Sequence, residues 1–363
     1  MRVVLVTSIE RGGPIEQSLL LARGLARAGA DVLVTCANEQ LAERFATGGV
    51  RAEVAPLRHQ ADVAGARRVW RLARGTDVVH AHDRRAGLWV RLGPRPRRGG
   101  VRVYTVHGIP EPYHPPPVGP ERAGLRALLL YRGLDASLCV RADAMIVPSR
   151  AVADDLVRRL GYPAHKLVVI PNGIELPPFA PGGGELIGTF SVLERSKGID
   201  VFLRAVGLLA QKHPDWRFVT YGSGSDSERL LALARELGVA GRVARPGFVP
   251  AAKALAQLRV YVLSSYLENA PMALLEAMAS GVPVVASAVY GVPEIVDESV
   301  ARMVPAGEPE ALAREIERTC TDQSGTEARV LAARKRVQER FTAERNARVT
   351  GELYERLLKV RAR

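Results

Sequence analysis

Apolar and polar positions follow one another in two distinct periods along this chain, and the period sets the element. Short apolar runs with few polar interruptions read as strands at Val3 to Thr7, Asp31 to Ala37, Asp77 to His80, Val101 to His107 and Ala144 to Pro148. Between several of them the apolar residues recur at helical spacing, in Pro14 to Ala28, Asp62 to Ala73 and Ala151 to Leu160. Strand, helix, strand predicts a doubly wound parallel sheet. The segment PNGIELPPFAPGGG, Pro171 to Gly184, packs four prolines and four glycines into fourteen residues and reads as an interdomain linker. The alternation then restarts, with strands at Leu186 to Val192, Arg217 to Tyr221, Val243 to Pro246, Val260 to Ser264, Val282 to Ala286 and Ala301 to Val304. From Thr326 the pattern is helical to the end, and such a tail can cross back and brace the first domain. The expected organisation is α/β: two facing Rossmann-like parallel-sheet domains, residues 1–174 and 175–345, with a C-terminal helix over 346–363 returning to the first domain.

Length agrees with this, since 363 residues suit two domains with real cores. No stretch approaches the roughly 18 apolar residues of a membrane-spanning helix. The opening MRVVLVTSIERGG has too short an apolar run for a signal-peptide core and reads as the first strand. Cys36, Cys139 and Cys320 are odd in number, far apart and free of CxxC spacing, so neither a disulfide framework nor a zinc site is expected. A reducing cytoplasm fits this best.

Charge is distributed unevenly. Residues 1–174 hold 26 Lys/Arg against 15 Asp/Glu, and the rest 25 against 23, so nearly all of the net +13 lies in the first half. Such a field suits an anionic partner, such as a phosphorylated acceptor, a membrane surface or nucleic acid, as well as a plain solvated Arg-rich face. Seven arginines lie between Arg84 and Arg102 without an acid among them. They read as a solvated basic loop or as a patch for an acceptor phosphate or lipid headgroup. With Trp89 the sole aromatic there, a single-strand nucleic-acid platform is not expected.

Candidate chemistry concentrates in SSYLENAPMALLEAMASGVPVVAS, Ser264 to Ser287. Glu268 stands on a loop after a strand, a helix begins near Ala270, and Glu276 lies inside it, amid Leu274, Leu275, Ala277 and Met278. A carboxylate in that setting needs a hydrogen-bond partner or water. The helix's first amides favour an anion at the strand's carboxyl end. Carboxylate plus anion hole suits a hydroxyl-rich phosphate ester. The plainer reading is a helix start supported by Glu268 and a solvent-facing Glu276. His80 and His82 form an HxH at a strand end, able to touch an acceptor or a metal. Tyr113 and His114, beside Pro115 to Pro117, form either a surface insertion or part of a mouth over the site. Gly222-Ser-Gly224 lacks the third glycine of a dinucleotide fingerprint, Ser227 occupying that place.

At this point the chain resembles the retaining glycosyltransferases of family 4, with the GT-B architecture. The resemblance rests on the E-x7-E spacing of Glu268 and Glu276 before EAMASGVPVVAS. It continues in Gly12-Gly13, DVVHAH (77–82), TVHG (105–108), VPS (147–149), IPNGIE (170–175), SKG (196–198), YGSG (221–224), PGFV (246–249) and GVPEIV (291–296). These fragments span nearly the whole chain in one order. The resemblance implies transfer of a sugar from a nucleotide-sugar, a UDP-sugar first, to a hydroxyl with the anomeric configuration retained, without metal or other cofactor. Glu276 is then expected to hold the nucleotide ribose and Glu268 to lie beside the donor sugar. Lys197 is expected to neutralise the diphosphate and His107 to stand near the transferred sugar. Gly12, Gly13, Arg195, Gly222, Asn269, Ala270, Pro271, Met272, Ala273 and Leu274 line the donor site in this reading, and His82, Arg84, Tyr113 and His114 face the acceptor.

Two departures stand out. Val192 occupies the place where the family commonly has an arginine five residues before the diphosphate lysine, and Arg195 is the nearest substitute. Tyr290 replaces the first glycine of the GG-x-x-E element, leaving Gly291 and Glu294. They motivate an alternative, a non-catalytic nucleotide-sugar or anion-binding protein on the same scaffold. Closure of the two halves around the donor is a further expectation.

Overall fold

The structure, a computed structural model, describes residues 1–10, 12–114, 117–119 and 124–362. Pro115 and Pro116 of the proline-rich loop lie outside the described residues. The chain divides into two compact units: Met1–His114, Pro120–Glu175 and Thr342–Arg363 form the first, and Pro115–Gly119 and Leu176–Phe341 the second.

Unit 1 contains strands β1 (Arg2–Val6), β2 (Asp31–Cys36), β3 (Arg51–Val54), β4 (Val78–Ala81), β5 (Val101–Thr105), β6 (Ala144–Val147) and β7 (Leu167–Val169). They form one seven-stranded sheet in the order β3-β2-β1-β4-β5-β6-β7, parallel throughout. Its helices are α1 (Gly13–Arg27), α2 (Glu39–Thr47), α3 (Val63–Ala73), α4 (Arg84–Leu92), a helical turn α5 (Leu125–Ala127) running into a π-helix at Leu128–Asp135, and α6 (Arg150–Leu160). Side-chain caps fix several starts: Asn38, Asp62, Asp83 and Ser149 accept from the amides of Leu41, Gly65, Ala86 and Val152. The core joins the inward faces of α1 and α2 to one face of the central strands, from Val3 and Leu5 through Val34, Val78 and Val103.

Unit 2 repeats the plan. Strands β8 (Leu186–Phe190), β9 (Arg217–Tyr221), β10 (Val243–Gly247), β11 (Leu258–Leu263), β12 (Val284–Ser287) and β13 (Arg302–Val304) form a parallel sheet in the order β10-β9-β8-β11-β12-β13. Around it lie α7 (Ile199–Lys212), α8 (Ser227–Glu236), α9 (Ala251–Leu255), α10 (Met272–Ser280), α11 (Val292–Ile295), α12 (Pro309–Thr321) and α13 (Gln323–Arg340).

The helical tail is not continuous. It breaks at Phe341 and Thr342, and the last helix, α14 (Ala343–Ala362), belongs to unit 1. There Ala343 N bonds Ile174 O at 2.9 Å, Gln17 Nε2 donates to Asn346 Oδ1 at 2.8 Å, and Asn346 Nδ2 donates to Pro171 O at 2.7 Å. Tyr354 is fully buried against the sheet, so α14 is part of the core. The two Rossmann-like parallel sheets and the returning C-terminal helix are the fold that the alternation predicts.

Candidate functional site

In unit 2 the strand order reverses between β8 and β11, so the loops at their carboxyl ends part and leave a crevice where α/β sheets bind ligands. The loop after β8 ends in the turn Arg195–Lys197, and the loop after β11 carries Glu268. They meet: Lys197 Nζ lies 2.9 Å from Glu268 Oε1, which also accepts Ser265 Oγ at 2.8 Å. These are charge-assisted bonds around a carboxyl that is 7% exposed. Gly198, at φ 56°, makes the meeting possible, because a Cβ there would fall 2.0 Å from the Ser264 carbonyl oxygen. A backbone bond from Tyr266 N to Ser196 O at 2.8 Å ties the two loops together, and Gly291 N, from the segment after β12, donates to Glu268 O at 3.0 Å.

Helix α10 opens at Met272, and helical geometry leaves the amides of Met272, Ala273 and Leu274 without intrahelical acceptors. Asn269 Oδ1 is buried without a partner just before it. Glu276 is half-buried one turn further along, between the buried Leu275 and Ala277. Tyr261, buried on β11, has its phenol raised well above the usual range, by burial first and then by the charges of Glu268 and Glu276. Both carboxyls of the E-x7-E spacing therefore bear on one neighbourhood. An ammonium, helix amides and two carboxyls in one place can hold a molecule that is anionic at one end and hydroxylated at the other. Arg195 shares the turn with Lys197 and is exposed, as is Val192. Gly222 leaves β9 at φ 127°, pressed against the Ser191 carbonyl.

Unit 1 has its own reversal, between β1 and β4. Gly12, at φ 96°, stands ahead of α1, and Gly13 begins that helix. Three histidines cluster here: His80 within β4, His82 just after it and His107 after β5. His80 uses both ring nitrogens, with Nδ1 2.6 Å from Tyr354 Oη and Nε2 2.7 Å from Thr105 Oγ1, which leaves it nothing for a metal. The His82 ring lies 4.2 Å from that of His80 and 5.7 Å from that of His107, and neither of its nitrogens has a partner. Burial, with the neighbouring histidine charges second, pushes His80 down to about 3 and His82 well below its ordinary value. Burial takes His107 to about 4, partly offset by a hydrogen bond to the His82 backbone. All three are neutral at pH 7, so three imidazoles can crowd together without repulsion. His82 and His107 line a cavity of about 270 Å³ with Arg84, Asp135 and Tyr162, and the unpartnered Nε2 of His107 suits a sugar hydroxyl.

The structure brings Lys197, Glu268, Glu276 and the start of α10 together in unit 2, and His82, Arg84 and His107 together in unit 1. Tyr113 and His114 stand apart from that cavity's lining. Tyr113 is buried edge-on against Tyr131, and His114 Nε2 is 3.0 Å from Ile109 O. The arginine run needs correcting, since only its middle, with Arg95, Arg97 and Arg98, is a loop, and it is not a single basic patch. Arg84 to Leu92 is helix α4, Arg91 is fully buried against Asp135, and Arg102 is buried with Nη1 on the Gly93 carbonyl at 2.9 Å. Pattern reading also passes over Asp83. Its carboxylate accepts Ser8 N at 2.5 Å and Ser8 Oγ at 2.6 Å, caps α4 and reaches the cavity wall. Its position immediately after HAH at a strand end is the available signal.

Tyr290 is the one non-glycine residue in the left-handed region among the described residues, at φ 45°. A side chain at such a φ costs about 1–2 kcal/mol, which glycine avoids. The ring is absent from both Tyr290→Gly and Tyr290→Ala, so comparing them isolates the backbone. The glycine variant is expected to melt above the alanine variant by the equivalent of about 1 kcal/mol, some 2–4 °C by thermal denaturation.

Two family models match the chain in succession: Glycosyltransferase Family 4 over residues 12–176 and Glycosyl transferases group 1 over residues 177–337. The colanic acid biosynthesis glycosyltransferase WcaL of Salmonella typhimurium is 29% identical over 221 residues, 56% of this chain and 54% of WcaL. The D-inositol 3-phosphate glycosyltransferase of Salinispora tropica is 26% identical over 345 residues, 85% of this chain and 70% of the relative. The chain spans about half the length of WcaL in the Salmonella and Escherichia coli forms it matches. Among solved structures, Anabaena HepE in complex with UDP-glucose superposes with a TM-score of 0.84 at 21% identity, covering 98% of this chain and 99% of HepE. Sucrose-phosphate synthase of Thermosynechococcus elongatus gives 0.80 at 22%, covering 99% of each chain. With two parallel-sheet units and the strand reversals at both crevices, this chain has the GT-B fold, and in sequence it is similar to the family 4 glycosyltransferases over residues 12–176 and to the group 1 glycosyl transferases over residues 177–337.

Proposed function

We propose that the chain transfers a sugar from a nucleoside-diphosphate sugar, a UDP-sugar first, to a hydroxyl of an acceptor with retention of configuration. The observation that carries this reading is the contact of Lys197 and Glu268 at the strand reversal of unit 2, beside the amides of α10. Breaking the bond from the anomeric carbon to the diphosphate leaves negative charge on phosphate oxygens, where an ammonium and helix amides are most useful. The acceptor oxygen then bonds to that carbon. In a front-face route its proton passes to an oxygen of the departing diphosphate; in a double displacement a protein nucleophile first bonds the carbon as the diphosphate leaves, and the acceptor oxygen then displaces that nucleophile as its proton passes to a diphosphate oxygen. Glu276 holds the ribose hydroxyls, and neutral His107 hydrogen-bonds the sugar. HepE, of the same fold, is described in complex with UDP-glucose, which supports the choice of nucleotide. The acceptor is a glycan, a lipid-linked sugar or a small natural product, bound by the basic first unit.

The test is a panel of nucleoside diphosphates and their sugars read by thermal denaturation. A donor at a hundred times its Kd stabilises the folded state by about 2.7 kcal/mol, roughly 5–10 °C for a unit of this size. The hit is then offered candidate acceptors, and the anomeric coupling of the product is read by NMR. An inverted product removes retention, and no response to any donor removes the reading. A second reading, donor binding without transfer, draws on the exposed Val192 where a second cation is expected. It predicts stabilisation by a donor with no product from any acceptor.

A further inference from the structure

Large apolar side chains are exposed in one concentrated stretch of unit 1. Leu125 is 71% exposed, Leu129 64% and Val140 71%, with Leu128 and Leu134 also exposed. Spacings of four and five residues put Leu125, Leu129 and Leu134 along one side of the helical segment that continues from α5 into the π-helix. Residues 124–142 contain three arginines, Arg126, Arg132 and Arg141, all exposed, and a single acid, Asp135, which is buried and engaged by Arg91. The opposite side of this segment is fixed. There Leu130 and Asp135 wall a cavity of about 230 Å³, with the half-exposed Leu134 at its edge, and Arg84 stacks 3.6 Å above the Tyr131 ring. An element that presents exposed leucines beside the exposed Arg126 and Arg132, with Arg141 held on the Arg91, Leu92 and Gly93 carbonyls at the end of α4, matches the two-part chemistry of an anionic bilayer: acyl chains for the leucines and phosphates for the guanidiniums.

We infer that this face docks the protein onto an anionic lipid surface. Among the described residues no helix is long and apolar enough to cross a membrane, so the contact is peripheral. Where the transferase reading holds, docking brings the acceptor class to lipid-borne molecules; that corollary rests on the reading, and the docking does not.

The test is co-sedimentation of the purified full chain with phosphatidylcholine–phosphatidylglycerol vesicles and with phosphatidylcholine vesicles. The chain is expected to pellet with the first and not the second, and to be released by salt. Leu125→Glu/Leu129→Glu is expected to abolish pelleting. Arg126→Glu/Arg132→Glu should weaken it at least roughly 25-fold, at about fivefold per arginine near an anionic leaflet. Leu331→Glu, an equally exposed leucine of α13 in unit 2, leaves it unchanged. The altered side chains are at the surface, and an unchanged melting curve shows that each variant is folded. Failure of the parent chain to pellet overturns the inference, and so does full pelleting of the leucine variant. A dimer seen by light scattering and split by the leucine variant also overturns it, by assigning the face to a second copy. Vesicle binding is read without turnover, so its failure leaves the transferase reading standing, and the reverse.

Discussion

Lys197→Ala is expected to lower kcat for sugar transfer by about 10²–10³-fold while raising the donor KM far less. The asymmetry follows from when the charge appears. The diphosphate carries charge in the bound donor, but the oxygen that leaves the anomeric carbon gains more as the bond breaks, and a fixed ammonium is worth most there. Lys197 is fixed by the αL turn at Gly198, by Ser264 Oγ donating to its carbonyl at 3.2 Å, and by Glu268 at 2.9 Å. Arg195 shares the turn but is exposed and free to move with solvent, so it substitutes poorly. Glu268 keeps Ser265 in the variant, which limits the structural disturbance. Steady-state kinetics with the donor and acceptor that the screen identifies decide the matter, with the melting curve as control. A kcat within threefold or so of the parent would remove Lys197 from the reacting end of the molecule.

The second large effect is on stability. Asp135→Ala is expected to destabilise unit 1 by about 3–5 kcal/mol, a fall of roughly 6–20 °C in its melting transition. Arg91 is fully buried and directs one nitrogen to the Asp135 carboxylate and another to its carbonyl at 3.0 Å, while Tyr162 Oη donates to the same carboxylate at 2.5 Å. Removing the carboxylate leaves a guanidinium in the interior with carbonyls and an aromatic face for company, the Tyr104 ring lying 4.7 Å from it. A charge so placed is far costlier than the ion pair was favourable. Asp135→Asn keeps an acceptor for Tyr162 and loses less. Loss below about 1 kcal/mol in the alanine variant would mean that water reaches Arg91.

Much of the fold was legible because a parallel sheet covered on both faces writes itself as short apolar runs, and eleven of the thirteen strands fall in such runs. The two that escaped are edges: β3, RAEV, which is only half-buried, and β7, three residues long. β3 has no apolar pattern to read, and the apolar run of β7, Leu167 to Ile170, is too short to stand out beside the linker that follows it. The break at Phe341 was hidden because α13 and α14 differ in which unit they pack on, a fact that composition does not carry. Within the candidate site, Glu268 and Glu276 were visible through their spacing along one continuous loop-and-helix segment. The contact of Lys197 with Glu268 joins residues 71 apart and exists only because β8 and β11 are neighbours in the sheet. Asp135 was unreadable for a different reason: alone among apolar residues and arginines, it gives no hint of which arginine it will meet.

The return of α14 to unit 1 has a consequence for synthesis. Apart from Pro115–Gly119, which are made earlier, unit 2 lies wholly in residues 176–341, whereas the sheet begun by the first strand lacks Tyr354 and Asn346 until the ribosome has translated past unit 2. Domains usually mature in the order of translation. Here the later-made half is complete first, and the earlier-made half must wait with an uncovered flank, shielded by chaperones or by partial structure, for a helix that arrives last.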